Sequence, residues 1–295
     1  MMPQTAWNEG RFGSWAGAQR LLFGRMYEDT DIEQEAFPGK GRVFCIASAG
    51  TTALKLAHEH EVFACDINPV QLAYAERRAY GAPPEIGDAE RAMKVVRAFM
   101  PIVGWREKTL RTFLGLSDVA QQTSFWSQYL DTYRFRKSFD RLMSPSVLRL
   151  MYAVQFLSFL PSNFGAVLRK RLERGFARHQ NASNPYVRML LLGENKDDRS
   201  EVVTNIRFVQ ADAASWLETC PARFFDGFAL SNILDGAEPS YRSRLFRAVR
   251  RTATKNAVAV MRSFAEPSEN IPSNRAELDR SMLWGLVDVR KAQSL

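Results

Sequence analysis

The sequence predicts an α/β protein built on a doubly wound sheet with a large helical insertion. Two blocks, 41–83 and 201–295, alternate short apolar runs with helix-spaced segments, as strands do when helices return over the faces of a sheet. Between them, residues 84–200 repeat helical spacing without a strand signal, too long a stretch to be a connection. Within the first block, RVFCIASAGTTALKLAHEHEVFACDIN at 42–68 reads as a strand, a tight turn, a helix and a second strand that closes on a carboxylate, Asp66.

Each element follows from local chemistry. Residues 1–40 carry Trp7, Phe12, Trp15 and Phe23 among glycines and polar residues, which suits a segment lying over a pocket. Tyr27, Glu28 and Asp29 precede a helix-like run that Asp29 or Thr30 would cap. The apolar run 43–46 enters a turn of small residues, Ala47, Ser48, Ala49 and Gly50, where a ligand can approach the backbone and a helix N-terminus offers free N–H groups. After Asp66 and Ile67, Asn68 is placed to cap a helix with Leu72, Ala75 and Ala79 on one face and Gly81 as its stop. That leaves Asp66 free to accept both hydroxyls of a ribose.

The insertion shows helical spacing in ERAMKVVRAFM, FWSQYLDTYRFRKSFDRLM and SPSVLRLMYAVQFLSFL, the last opened by Ser144 and Pro145 and closed at 161–163. In the second block IRFVQAD is a strand ending on Asp212, with Ala213 opening a short helix. FFDGFAL is a buried strand leading to Ser231 and Asn232, PSYRSRLFRAVRRTA an amphipathic helix, NAVAVMRSF a strand, and WGLVDVRKA an edge or terminal strand.

An apolar share of 46% in 295 residues supplies a sizeable core, and with no basic-then-apolar leader in view a cytoplasmic protein is expected. Cys45, Cys65 and Cys220 are scattered, form no CxxC pair and read as reduced, packed thiols, so no metal site is expected. His58 and His60, in HEHE at a helix-to-strand junction, read as solvated surface. The net charge of +8 is local: residues 133–179 hold ten basic side chains against two acids, an excess equal to that of the whole chain. This region is expected to face an anionic membrane or ligand, with a solvated basic face as the alternative; nucleic acid is disfavoured because nothing resembles a base-stacking platform. The apolar stretch 147–160 contains Arg149 and is too short to span a bilayer.

The turn at 47–50, Asp66, Asp212 and the pair Ser231 and Asn232 all end strands. In an open parallel sheet the ligand crevice lies outside the carboxyl ends of the strands, where strand order reverses, and a ribose on Asp66 with an adenine near Asp212 fits it. The single Gly50 falls short of a dehydrogenase fingerprint and no GxxxxGK[ST] occurs, so the arrangement resembles the class I, Rossmann-like fold that binds S-adenosylmethionine.

Five places extend that likeness: Tyr27-Glu28-Asp29; IASAGTTAL at 46–54 with CDINPVQ at 65–71; NPYVRMLLLG at 184–193; FDGFALSN at 225–232; and MRSF at 261–264 with LDRSMLWG at 278–285. In order and spacing they resemble the S-adenosylmethionine:diacylglycerol 3-amino-3-carboxypropyltransferases (BtaA-like), which make the precursor of betaine lipids, and related transferases acting on other acceptors. The resemblance implies transfer of the 3-amino-3-carboxypropyl group of S-adenosylmethionine, as co-substrate, to a hydroxyl acceptor, either diacylglycerol or a smaller alcohol or phenol. Methylthioadenosine is then released, and the enzyme is expected to sit peripherally at the inner membrane face.

Carried over residue by residue, the resemblance makes Glu28, Asp29 and Asp279 candidate bases, with Tyr27 as a donor or shaping group. Arg262 and Arg280 are candidate clamps for the methionyl carboxylate. Ala47, Ser48, Ala49, Gly50, Asp66, Ile67, Asp212, Ala213, Ser231 and Asn232 are the expected contacts to the nucleoside side. Holding nucleophile and carbon in near-attack geometry is worth about 7–11 kcal/mol, more than one general base supplies, so the grip on the methionyl group is expected to select the product. Two other readings stay open: a methyltransferase acting on a small molecule or lipid, which would leave S-adenosylhomocysteine, and a non-catalytic nucleotide-binding protein at a membrane surface.

Overall fold

The computed structural model describes residues 19–37, 39–149, 157, 160–194, 202–267, 269 and 271–295. Strands β1 (Arg42–Ile46), β2 (Glu61–Asp66), β3 (Ile206–Gln210), β4 (Phe225–Ala229), β5 (Ala253–Ser263) and β6 (Leu286–Lys291) form one sheet in the order β3-β2-β1-β4-β5-β6. The first five are parallel, and β6 pairs antiparallel with β5 as the edge strand that its position at the end of the second block suggested. The strand order reverses between β1 and β4, so their carboxyl ends bound the crevice.

Alternation along each strand sorts side chains to two faces. Val43, Cys45, Val62, Ala64 and Val260 pack on one side, beneath α1 (Asp31–Ala36), α2 (Thr51–Leu56) and α3 (Pro69–Ala79). Phe44, Phe63, Cys65, Phe228 and Ala259 pack on the other. Both faces are covered, which is why the central strands read as continuous apolar runs. Asn68 caps α3 as expected, its Oδ1 accepting from the N–H groups of Val70 and Gln71. All three cysteines are buried free thiols.

Among its described residues the insertion forms helices and their connections, with no strand: α4 (Asp88–Phe99), α5 (Glu107–Leu114), α6 (Val119–Phe125), α7 (Tyr133–Leu142), α8 (Pro145–Leu148), α9 (Phe164–Phe176) and α10 (Pro185–Leu192). It has an aromatic core of its own, with Trp105, Phe113, Trp126, Phe135 and Phe176 all buried and Met282 inserted from the C-terminal segment. The indole N–H of Trp105 finds the carbonyl of Leu130 at 2.8 Å, so its burial leaves no polar group stranded. Ser144 and Pro145 open α8 as expected, whereas 150–156, 158 and 159 of the same expected helix lie outside the described residues, as do Trp7, Phe12 and Trp15. No helix among the described residues is long and apolar enough to cross a membrane. The second block continues with α11 (Ala213–Thr219) and α12 (Pro239–Thr252), whose Leu217, Leu245 and Val249 cover the second face of the sheet.

One surface expectation fails. His58 is exposed, but His60 is buried with its ring edge-on to Phe37 at 6.4 Å. The turn leaving α2 folds it under the end of α1, and burial holds its imidazole below its ordinary value.

Candidate functional site

At the end of β1 the backbone of Ser48 and Gly50 turns left-handed, at φ 44° and 86°. Asp66, at the end of the neighbouring β2, braces this turn: one carboxylate oxygen accepts from Ser48 N at 3.0 Å and the other from Asn68 N at 2.9 Å. Asp66 is therefore not free in the sense the capping role of Asn68 suggested, yet a carboxylate offers about four lone-pair sites, and its backbone donors leave acceptor capacity for a hydroxyl. Burial pushes its carboxyl up to about 6, opposed by the backbone N–H groups of Asn68, Ser48 and Ile67. Asp212 is engaged differently. It caps α11, taking Ser215 N at 2.8 Å and Ser215 Oγ at 2.7 Å, and Arg244 stands 3.8 Å away.

The chain before α1 lies across the β1 turn. Gln71 on α3 donates to the carbonyls of Ser48 (2.9 Å) and Phe23 (2.8 Å) and accepts from Leu22 N and Phe23 N. The thioether of Met26 accepts from Thr52 N at 3.5 Å, so one of the N–H groups expected to be free at the start of α2 is already taken. Met26, Ala49 and Tyr74 close this layer as a small apolar cluster.

On the other side of the crevice, Arg262 of β5 is fully buried and surrounded by acids. Its guanidinium binds both oxygens of Glu33, meets Asp279 at 3.1 Å and Glu28 at 3.5 Å, and donates to the carbonyl of Asp29 at 3.0 Å. This corrects the expectation of a substrate clamp: with three carboxylates around it, the guanidinium has no free edge for a fourth. Burial opposes its charge, but Glu33, Glu28 and Asp279 hold it firmly protonated. One cation against three acids leaves an excess of negative charge that burial makes costly. Glu28 has the longest contact of the three and carries the strain: burial, then the neighbouring Glu33 and Asp279 against the pull of Arg262, push its carboxyl up to about 7. Ser231, left-handed at φ 51° where β4 ends, donates its hydroxyl to Glu28, and its carbonyl accepts from Arg262 N at 2.7 Å. Glu28 thus stands at the carboxyl ends of β4 and β5 as a buried acid that changes protonation near neutral pH.

Asp29 and Arg280 form a second, separate pair. Arg280 grips Asp29 with Nε and Nη2, at 2.5 and 2.6 Å, and also binds Asp31. Burial works against the Asp29 charge, but these hydrogen bonds win and hold its carboxyl below the ordinary value. Thr30 N donates to the Tyr186 hydroxyl at 3.3 Å and Asn184 Nδ2 to the Arg280 carbonyl at 2.9 Å, so the pair is locked against α10. Asp29, Asp279 and Arg280 are therefore structural ties between the start and end of the chain, and Glu28 is the candidate base that the geometry leaves. Tyr27 contributes its carbonyl to the indole N–H of Trp284 at 3.0 Å, and burial raises its phenol above the ordinary value.

The structure brings together the turn 47–50, Asp66 and Ile67 on one wall, and Glu28, Ser231 and Arg262 on the other. Asn232 turns to Asp235 at 3.4 Å, and Ala213 is buried in the first turn of α11. Sequence reasoning missed Glu33, Gln71 and Asp235. Glu33 beside the buried Ile32 on a short helix is an acid on an inward face, a signal that was available; Gln71 lies inside the quoted CDINPVQ. Asp235 carries no local mark: it accepts from Ser263 Oγ at 2.5 Å and Phe264 N at 3.0 Å, stapling the loop after β4 to the end of β5. Comparisons with models of known families, with curated proteins and with solved structures find no match to this chain.

Proposed function

We propose that the protein transfers the 3-amino-3-carboxypropyl group of S-adenosylmethionine to a hydroxyl acceptor, diacylglycerol or a smaller alcohol or phenol, and releases methylthioadenosine. This reading takes the sheet as a class I S-adenosylmethionine fold. The observation that carries it is Glu28: a buried carboxyl poised near pH 7, held by Ser231 at the carboxyl ends of the strands, opposite the Asp66 turn. Convergence adds support, because the motifs at 27–29, 184–193, 225–232, 261–264 and 278–285 meet through Glu28, Asp29, Tyr186, Ser231, Arg262 and Arg280.

The residues present fit the nucleoside half of the co-substrate, since Asp66 retains acceptor capacity and the small residues of the turn leave its backbone approachable. They do not fit Arg262 as the carboxylate clamp. When bound, S-adenosylmethionine supplies a sulfonium whose γ-carbon can be attacked while the bonding electron pair stays on sulfur. Asp66 accepts the ribose hydroxyls. Glu28 takes the proton of the acceptor hydroxyl as the new carbon–oxygen bond forms, and Ser231 orients its carboxyl. Arg262 stands behind Glu28, where with Glu33 and Asp279 it sets the acidity of that base. The test is to incubate the protein with S-adenosylmethionine and candidate acceptors and separate the nucleosides. Methylthioadenosine is expected; S-adenosylhomocysteine would make the protein a methyltransferase, and binding without either product would make it non-catalytic.

A further inference from the structure

Helix α4 is amphipathic the wrong way round at its far end. Its exposed positions, Arg91, Lys94, Val95, Ala98 and Phe99, recur at helical spacing, and Ile102 in the single turn that follows, Met100–Val103, continues the row. The row begins charged and ends apolar: Val95, Phe99 and Ile102 are 59%, 61% and 70% exposed. Arg97 of the same helix points inward instead, donating to the carbonyl of Leu190 on α10 at 3.2 Å. In the first turn the buried Glu90 accepts from Gly24 N at 2.7 Å. A helix pinned at both ends in this way cannot roll to bury Phe99. One exposed apolar side chain is ordinary on a protein surface, but three large ones in a row on the outer face of successive turns form a patch that water disfavours. The turn then reverses at Gly104, φ 92°, where a Cβ would meet nothing within 4 Å, so the patch ends on a projecting tip and not in a groove.

We infer that this tip docks on an anionic lipid bilayer, with Val95, Phe99 and Ile102 entering the headgroup region. The apolar side chains make the site, and a fluid interface receives them without the shaped pocket that a protein partner would need. Charge selects the lipid. Residues 91–106 contain four basic side chains and no acid. Arg91 pairs with Asp88 and Arg97 is turned inward, which leaves Lys94 and Arg106 exposed beside the patch to meet lipid phosphates. The turn also packs against α7, the first helix of the basic region 133–179, where the ring of Trp105 stacks on Phe135 at 4.2 Å. Two copies of the chain meeting through this face would set Lys94 and Arg106 against their like, which disfavours a symmetric dimer as the occupant. The inference does not rest on the transfer reading, because docking requires no step of that reaction.

The test is flotation of the full chain, without S-adenosylmethionine, on vesicles of phosphatidylcholine mixed with phosphatidylglycerol, at low and at high salt. The parent is expected to float. The double variant Phe99→Ser, Ile102→Ser should partition about tenfold or more weakly at either salt, since it removes apolar surface. The double variant Lys94→Gln, Arg106→Gln should lose about tenfold at low salt and little at high salt, where its charges are screened in any case. All four positions are exposed, so no core is disturbed. Ile102→Trp should bind at least as well as the parent, because an indole suits a lipid interface; weaker binding would point to a shaped protein pocket and overturn the inference. A parent that does not float overturns it, and so does equal flotation of the parent and the Phe99→Ser, Ile102→Ser variant. A parent dimer that this variant converts to a monomer, with no flotation, gives the face to a second copy and overturns it as well. Flotation that depends on Phe99 and Ile102 without methylthioadenosine release would leave the docking standing and sink the transfer reaction. Methylthioadenosine release by a protein that does not float would do the reverse.

Discussion

Replacing Glu28 by Gln separates the cost of this carboxylate from its use. In the fold its carboxyl is raised from the ordinary 4.5 to about 7, so the protonated form is the one the fold prefers. A group raised in this way contributes stability that is complete below about pH 4.5 and is lost as the pH rises through 7. The gap between the two values corresponds to about 3 kcal/mol of destabilisation once Glu28 is ionised in the fold. Gln keeps the shape and stays neutral. Glu28→Gln is therefore expected to be more stable than the parent at about pH 8.5, by as much as about 3 kcal/mol, with the gain falling below about 1 kcal/mol at about pH 5. Urea unfolding at the two pH values reads this directly. The same variant should lose methylthioadenosine release by about a hundredfold or more, the usual contribution of a positioned base. In the parent that activity should rise with pH, with its midpoint near 7. A variant that is less stable than the parent at the higher pH would refute the electrostatic reasoning, and one that keeps full activity would remove Glu28 from the chemistry.

Arg262→Met strands Glu33 and Asp279 without their cation and is expected to cost about 3–5 kcal/mol in urea unfolding; a loss under about 1 kcal/mol together with a raised KM for S-adenosylmethionine would restore the clamp role. Asp66→Asn should weaken methylthioadenosine binding about tenfold by calorimetry, because a charged acceptor for hydroxyls becomes a neutral one; unchanged affinity would move the ribose elsewhere. Gly50→Ala places a side chain at φ 86° with its Cβ 3.2 Å from the Cβ of Ala75. About 1–2 kcal/mol of stability should be lost in thermal unfolding, and an unchanged midpoint would mean that the turn relaxes at no cost.

The strands were legible because each depends on neighbours in the chain. A short apolar run bounded by turn residues and rich in β-branched or aromatic side chains buries itself well as a strand between two layers, and all six strands appear where the runs are. The cap of α3 was legible for the same reason, since Asn68 bonds to N–H groups two and three residues away. Asp66 was half legible: its place at a strand end follows from local pattern, but its hold on Ser48 depends on how two adjacent strands are registered. His60 was misread because a histidine among acids gives no sign that a phenylalanine from a preceding helix will cover it.

The amino-acid sequence by itself determined the α/β class, the order of the elements, the helical insertion and the residues offered at the strand ends. The tertiary structure alone decided which of those residues are spent on the fold and which face a ligand. Arg262 and Glu33 are 229 residues apart, and Arg280 and Asp29 are 251 apart. Periodicity and turn chemistry act over a few residues, whereas the protonation of a buried acid is set by every charge within a few ångströms, whatever its place in the chain. That is why Glu28, Asp29 and Asp279, alike as candidate bases in the sequence, separate once folded into one carboxyl pushed up to about 7 and two held close in ion pairs with Arg280 and Arg262.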